Sequence, residues 1–432
     1  MRLRFSAIGI SNEFVQVLNS LKIYDLTDIQ AQSIPVLLKE NKDFIGLAPT
    51  GTGKTLAYAL PLLAKIDANN MKPQALILVP TRELAQQVAD KINLLTQCLP
   101  QINCVTIHGG AGSLKAQIKS LKHEAQIIVA TPGRFVDILT RGEVNMQDIA
   151  YIVLDEADEM MNLSFKEDLN KILSQVIPER KVWLFSATMP EEVALLTKKY
   201  LHADKIEVRL IDVQEQQKLK IDHHYLLVEP IQKLDTLIHF LQQHENERGI
   251  IFCRTKAGVQ KMVKHLLMNR MSVGGLHGDL PQGIRDKIMD QFRAKHTQFL
   301  IATDIAARGI DVDDLAFVMQ YQLPDTADFY THRSGRTGRA GKKGMSLTFV
   351  FPEEEHKLRA MEAELGMSFI AYEKPSMETL EGSSIILWSN RIVKMKLSDI
   401  DPAIRTKVLQ NFSKLSKDQL IDRLISDQLQ MG

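Results

Sequence analysis

Short apolar runs rich in β-branched residues alternate along this chain with longer stretches of amphipathic, helix-like period. Such runs, bounded by Gly, Pro, Asp or Ser, read as strands, and the longer stretches read as crossover helices. In the first half the strand candidates are Phe44–Ala48, Ala75–Val79, Gln126–Ala130, Ala150–Leu154 and Val182–Phe185. In the second half they are Gly249–Cys253, Ser272–Leu276, Gln298–Ala302, Leu315–Gln320 and Met345–Val350. So many strands fit two sheets better than one, which predicts an α/β fold of two doubly wound parallel sheets in tandem. The break falls at 213–221, where Gln214-Glu215-Gln216-Gln217-Lys218-Leu219-Lys220 is polar and lacks an apolar period. The expected units are therefore 1–212 and 222–368. Residues 369–432 differ in kind: a β-like run, Ile385–Trp388, precedes helical patterns ending in Asp418–Leu429. Their charges balance, so they predict a small packed C-terminal extension rather than a basic RNA-tethering tail.

Composition narrows the picture. A chain of 432 residues, 45% hydrophobic and 24% charged, is globular and suggests two or three domains. Its 53 basic and 52 acidic residues leave +1, which argues against a histone-like or arm-driven nucleic-acid binder but not against a locally basic groove. Cys98, Cys104 and Cys253 make neither a disulfide framework nor a zinc spacing, which suits a reducing compartment. No apolar run is long enough to span a bilayer, and Met1–Ser6 lacks the apolar core of a signal peptide. The expectation is a soluble, cytoplasmic protein.

In open α/β sheets, ligands bind beyond the carboxyl ends of the strands, and the unusual tetrads of this chain lie there. Ala48-Pro49-Thr50-Gly51-Thr52-Gly53-Lys54-Thr55 leaves one strand and opens a helix. Its glycines let backbone N–H groups turn onto phosphate oxygens, Lys54 would reach the β- and γ-phosphates, and the Thr55 hydroxyl would complete a Mg²⁺ shell. The strict phosphate-loop pattern has Gly where Ala48 stands. Asp155-Glu156-Ala157-Asp158 ends a second strand. Asp155 is placed to hold Mg²⁺ through water, and Glu156 to orient or deprotonate an attacking water. His332-Arg333-Ser334-Gly335-Arg336-Thr337-Gly338-Arg339 alternates Arg with Gly, so that guanidinium groups project from a flexible backbone. The strand Gly249–Cys253 leads into Arg254-Thr255-Lys256-Ala257 without a glycine loop. One nucleotide site is therefore expected, completed across a cleft by the second domain's arginines when the domains close.

Read together, these segments resemble the DEAD-box RNA helicases of helicase superfamily 2, over about residues 5–350. The resemblance is carried by Phe5 with Thr27-Asp28-Ile29-Gln30 (the Q motif, within 3–31), Ala48–Thr55, Pro80-Thr81-Arg82-Glu83-Leu84, Gly109-Gly110, Thr131-Pro132-Gly133-Arg134, Asp155–Asp158 and Ser186-Ala187-Thr188. It continues with Ile251-Phe252-Cys253-Arg254-Thr255, Gln291-Phe292-Arg293, Ala302–Asp311 and His332–Arg339.

The resemblance implies two RecA-like domains, ATP and Mg²⁺ as cofactors, and RNA as the partner. It implies that Gln30 reads the adenine edge, that Thr27 belongs to the ATP-binding set and that Asp311 contacts the ribose. Arg336 and Arg339 look like arginine fingers acting with Glu156 and Lys54, while Ser186, Thr188 and His332 look like the coupling residues. RNA backbone would be gripped by Arg82, Gly110, Thr131 and Arg134 on one domain and by Arg254, Gly278 and Thr303 on the other, largely without reading sequence. Two departures stand out: Ile23, followed by Tyr24, where an aromatic ring usually stacks on adenine, and Leu26 where proline is usual. The expected activity is RNA-stimulated ATP hydrolysis coupled to local duplex unwinding or remodelling of RNA–protein complexes, by a monomer whose extension is open to protein partners. A DNA helicase of the same superfamily is disfavoured by the Gln30 segment with Asp155–Asp158. A small-molecule kinase has no use for the second domain's arginines. An ATP-gated RNA clamp that does not hydrolyse is disfavoured by intact Lys54, Glu156, Arg336 and Arg339.

Overall fold

The computed structural model describes residues 4–431 apart from 50, 111–113, 123–124, 163–164, 178, 211–220, 308–314, 339–342, 394 and 396–398. The expected linker thus lies almost wholly outside the described residues. The first sheet is built from β1 (Phe44–Leu47), β2 (Ala75–Leu78), β3 (Cys104–Ile107), β4 (Ile127–Ala130), β5 (Tyr151–Asp155), β6 (Lys181–Ser186) and β7 (Ile206–Arg209). The second comprises β8 (Ile221–Leu227), β9 (Gly249–Phe252), β10 (Val273–Leu276), β11 (Phe299–Ala302), β12 (Phe317–Gln320), β13 (Gly344–Val350) and β14 (Ile370–Ala371). Their orders are β3-β4-β2-β5-β6-β1-β7 and β10-β11-β9-β12-β13-β8-β14, the same topology twice. Every pairing is parallel.

Alternation along the strands explains the two-faced packing. Ile77, Val129, Val153 and Phe185 face one helical layer, whereas Leu76, Ile128, Ile152 and Leu184 face the other. Both faces exclude water, so the central strands read as continuous apolar runs. Five strands depart from that pattern, β10 among them with alternate half-buried positions. β3 is mostly half-buried, β7 alternates Ile-Glu-Val-Arg at the sheet edge, β8 carries Asp222, His223 and His224, and β14 is two residues long.

Two expected boundaries move. Ile221 opens β8 rather than closing a linker. β14 pairs with β8 through Ile370↔His224 and Ala371↔Tyr225, so the second sheet runs past residue 368. Phe369 is buried against Tyr330 at 4.9 Å between ring centroids, which ties the start of the extension to this core. The β-like run Ile385–Trp388 is helical, inside Met377–Val393. A four-residue apolar run cannot by itself separate strand from buried helix, and here the helix seats Leu380 in a buried position. Helices Pro402–Phe412 and Lys417–Met431 complete the extension. Among the described residues, no helix is long and apolar enough to cross a membrane.

Candidate active site

Beyond β1, Gly51 (φ 77) and Gly53 (φ 88) take left-handed backbone that side-chain-bearing residues adopt only at a cost. Gly53 is the residue before helix Lys54–Lys65, whose N-terminal amides therefore open onto the loop. A Cβ at Gly53 would overlap Gln30 Nε2, so the loop and the Gln30 side chain need a glycine between them. Lys54 is buried and donates from Nζ to Ala48 O at 2.9 Å, while Thr52 Oγ1 donates to Pro49 O at 2.7 Å. Thr50 lies outside the described residues.

Gln30 sits in the first turn of helix Asp28–Lys39. Its Oε1 accepts from Thr27 N at 3.0 Å and its Nε2 donates to Gly53 O at 3.1 Å. One amide hydrogen and one carbonyl lone pair remain for a base. Ile23 packs partly buried against the first core, whereas Tyr24 is 54% exposed.

At the end of β5, Asp155 is buried, accepting from Tyr58 Oη at 2.9 Å and from Glu156 N at 3.0 Å. Burial raises its pKa, against the pull of Lys54. Glu156 has φ 52, a left-handed turn that separates β5 from helix Ala157–Asn162. Burial pushes its carboxyl up to about 7, with Arg336 drawing it the other way. Its Oε2 is buried without a hydrogen-bond partner among the described residues. A carboxylate of that pKa suits a general base at neutral pH. Asp155 and the half-buried Thr55 hydroxyl offer hard oxygens, and Mg²⁺ typically needs only one or two protein oxygens beside its waters. The donor set fits that ion.

The next turn joins the two sheets. Asp158 Oδ2 accepts from both the backbone N and the Oγ1 of Thr188 at 2.8 Å, and Asp158 N donates to Ser186 Oγ at 3.2 Å. From the second sheet, His332 pairs with Glu159 and places Nε2 3.6 Å from Asp158 Oδ2. Burial lowers the His332 pKa, but the hydrogen bond and charge of Glu159, with Asp158 behind it, outweigh this and raise it overall. Arg336 is buried and close enough to Glu156 to act on its charge. Arg333, in the same segment, is committed elsewhere: it grips Asp304 through Nε and Nη2 and donates to Gln320 Oε1 at 2.9 Å. Arg339 and Asp311 lie outside the described residues.

The residues expected to hold RNA emerge on the other side of each sheet, past β2, β3 and β4 and past β9, β10 and β11. Arg82 lies against Gly109 and Gly110 (φ 87), where any Cβ on Gly110 would displace its guanidinium. Thr131 precedes helix Pro132–Thr140, which carries Arg134. Arg254 is held by Gln322 Oε1, Leu323 O and Asp325, the last at 2.7 Å. Thr303 N donates to Leu276 O at 3.1 Å, beside His277 and Gly278. One contact had no signal in the sequence: Glu83 pairs with Arg285 at 2.6 Å and accepts from Gln282, joining helices Arg82–Leu95 and Gln282–Arg293. Nothing local marks it, because its halves stand far apart in the chain.

Comparison with known proteins agrees with this geometry. The DEAD/DEAH box helicase model matches residues 27–196, and the helicase conserved C-terminal domain model matches 232–341. A relative from Geobacillus kaustophilus, the DEAD-box ATP-dependent RNA helicase CshA, is 36% identical over 419 residues, 97% of this chain and 86% of that protein. The chain belongs to the DEAD-box helicase family. The ATP-dependent RNA helicase CshA of Listeria monocytogenes is 40% identical over 83% of this chain and 68% of that protein. Among solved structures, S. cerevisiae Dbp5 bound to RNA and ADP BeF3 is 28% identical with a TM-score of 0.77, covering 89% of this chain and 99% of that one. The DEAD-box helicase Mss116 bound to ssRNA and UDP-BeF is 26% identical with a TM-score of 0.78, covering 90% and 83%.

Proposed function

We propose that this DEAD-box helicase is an RNA-stimulated ATPase that separates short RNA duplexes or remodels RNA–protein complexes. The supporting observation is that His332, from the second sheet, pairs with Glu159 beside Asp158 of the first, and that Arg336 stands near enough to Glu156 to act on its charge. ATP phosphates would lie on the loop Ala48–Thr55, with Lys54 turning from Ala48 O to the β- and γ-phosphates. Thr55 and Asp155 would hold Mg²⁺, which supplies positive charge to the phosphate oxygens when bound. Glu156 takes the proton of the attacking water, and Arg336 with Arg339 neutralises charge developing on the γ-phosphate. Ser186 and Thr188 report the occupied site through Asp158 to His332. Closure brings Arg82, Gly110, Thr131 and Arg134 into line with Arg254, Gly278 and Thr303 along one RNA strand. Hydrolysis breaks the His332 and Arg336 contacts and reopens the cleft.

Work in cytoplasmic RNA metabolism fits the three unpaired cysteines, Cys98, Cys104 and Cys253. The test is steady-state ATPase with and without single-stranded RNA, beside strand separation of a short duplex. The expected outcome is hydrolysis that rises with RNA and unwinding that needs ATP. RNA binding gated by ATP with no hydrolysis would overturn this reading in favour of a clamp.

A further inference from the structure

The matching pairing registers equate positions in the two sheets. Leu78↔Leu154 in the first corresponds to Phe252↔Gln320 in the second, and Leu47↔Ser186 corresponds to Leu227↔Val350. One residue on, Asp155 is matched by Tyr321 and Ala187 by Phe351. Lys54 is the first residue of the helix after β1, and Lys233 is the first residue of helix Lys233–Gln243 after β8. Both lysines are buried, at 7% and 6% exposure.

Their surroundings differ completely. The intervening segment Val228–Gln232 contains no glycine and includes Glu229 and Pro230, so it forms no phosphate cradle. Lys233 Nζ lies 4.6 Å from the centre of the Tyr321 ring and 4.1 Å from that of Phe351, with no hydrogen bond or ion pair among the described residues. Rings at the positions of Asp155 and Ala187 thus take up a cation that in the first sheet serves phosphate. Tyr321 begins the segment that fixes Arg254. Tyr321 N donates to Phe252 O at 3.0 Å, Gln322 Oε1 accepts from Arg254 N at 3.1 Å, and Leu323 O accepts from Arg254 Nη2 at 3.2 Å.

We propose that Lys233 is a positioning residue for the RNA grip, clamping Tyr321 and Phe351 so that segment 321–325 holds Arg254 ready for a phosphate. The proposal rests on the assignment of Arg254 to RNA. Burial lowers the Lys233 pKa to about 8; Glu354 opposes that shift and Arg254 adds to it. Burial pushes Cys253 and Tyr321 up to about 12, so neither loses its proton near neutrality. The ammonium is present below about 8 and lost above it. The clamp therefore weakens as pH rises through that value.

The experiment titrates single-stranded RNA into the ATPase assay of the full chain. Lys233→Met keeps an apolar stem but no charge, and should raise KM for RNA about tenfold while kcat and KM for ATP stay within about twofold. Lys233→Arg should restore the wild-type value. Between pH 7 and 9 the wild-type KM for RNA should rise, and that of Lys233→Arg should stay flat. Should Lys233→Met fail to fold, this pH comparison decides alone. Arg254→Ala separates the two layers: if it leaves KM for RNA unchanged, the RNA assignment itself is wrong. If Arg254→Ala raises KM while Lys233→Met does not, or while wild type and Lys233→Arg share one pH profile, the role of Lys233 is overturned and the RNA reading stands.

Discussion

At the carboxyl ends of β1, β5 and β6 the first sheet carries Lys54, Asp155, Glu156 and Ser186. At the matching ends of β8, β12 and β13 the second carries Lys233, Tyr321, Gln322 and Val350. Polar phosphate chemistry on one side has given way to rings and an amide on the other. The remaining ends have stayed alike. Thr81 and Thr255 each cap a helix, accepting from Leu84 N and Gly258 N. His108 and His277 are both buried, each followed by glycine, and Thr131 and Thr303 both follow an alanine that ends a strand. The difference teaches how the labour is divided. A single-stranded polymer runs past both halves and needs a grip on each, whereas a nucleotide needs one complete site plus a lid. Topology is set by the core and is shared; chemistry is set by strand ends and diverges.

Exchanging the lid's chemistry should break this asymmetry most. Arg336→Lys keeps the charge and loses the planar fork, so RNA-stimulated kcat should fall on the order of a hundredfold or more, about 3 kcal/mol. Nucleotide affinity measured without RNA should hold, because the cleft is then open. Glu156→Gln should cut kcat comparably while RNA bound with ATP is released slowly. Wild-type turnover in Glu156→Gln would remove Glu156 from the role of base.

Where chemistry and core coincide, the sequence was legible. Phosphate loop, Asp155–Asp158 tetrad and both central sets of strands show in local pattern because burial on two faces leaves unbroken apolar runs. β3, β7, β8 and β14 do not show: β8, which lies between β13 and β14, carries Asp222, His223 and His224, and half-burial removes the apolar signal. Nor does the run Ile385–Trp388 declare itself, since four apolar residues suit helix and strand equally. Commitments of side chains were also hidden. Arg–Gly alternation alone does not separate Arg333 from Arg336, and only the family resemblance singles out Arg336; in the structure Asp304 and Gln320 claim Arg333, and Arg336 alone of the two stands by Glu156.

The corrected boundary has its own consequence for the comparison. The first sheet closes with β7, and the second matches it only through β14 in the extension. A chain cut after Ser368 loses β14 and the buried Phe369 ring, about 3 kcal/mol or more for the ring alone. Its melting temperature should drop by about 10 °C. Cutting after Lys374 keeps both and should leave RNA-stimulated ATPase intact. Equal melting curves for the two truncations would deny β14 its part in the sheet.

On the proposed reading, base choice belongs to the first half. Gln30 already bonds Thr27 N and Gly53 O, so Gln30→Ala both removes the base reader and loosens the phosphate loop. ATP affinity should fall about tenfold, and preference over GTP should largely vanish, because the unpaired polar atoms that reject guanine are gone. Tyr24→Ala, at an exposed ring, should change affinity less than about threefold. Competition by GTP against a fluorescent ATP analogue reads both; continued exclusion of GTP by Gln30→Ala would rule the amide out as the selector.

The smallest expected effect probes the joint between the halves far from the phosphates. Glu83 and Arg285 pair at 2.6 Å with side chains 17% and 11% exposed, so solvent screens them less than a surface pair. Arg285 leans from the second sheet's helix onto the residue next to Arg82, so on the proposed reading it would link domain closure to the RNA side of the cleft. Such a pair should be worth about 1 kcal/mol of coupling, and only in the closed state. The measurement is a double-mutant cycle on RNA affinity with Glu83→Gln, Arg285→Gln and the double variant. Run with a non-hydrolysable ATP analogue, the cycle should return that coupling; run without nucleotide, it should return none. Coupling of equal size in both would mean that the pair does not depend on closure, and the RNA sides of the two sheets would then be joined independently of the nucleotide.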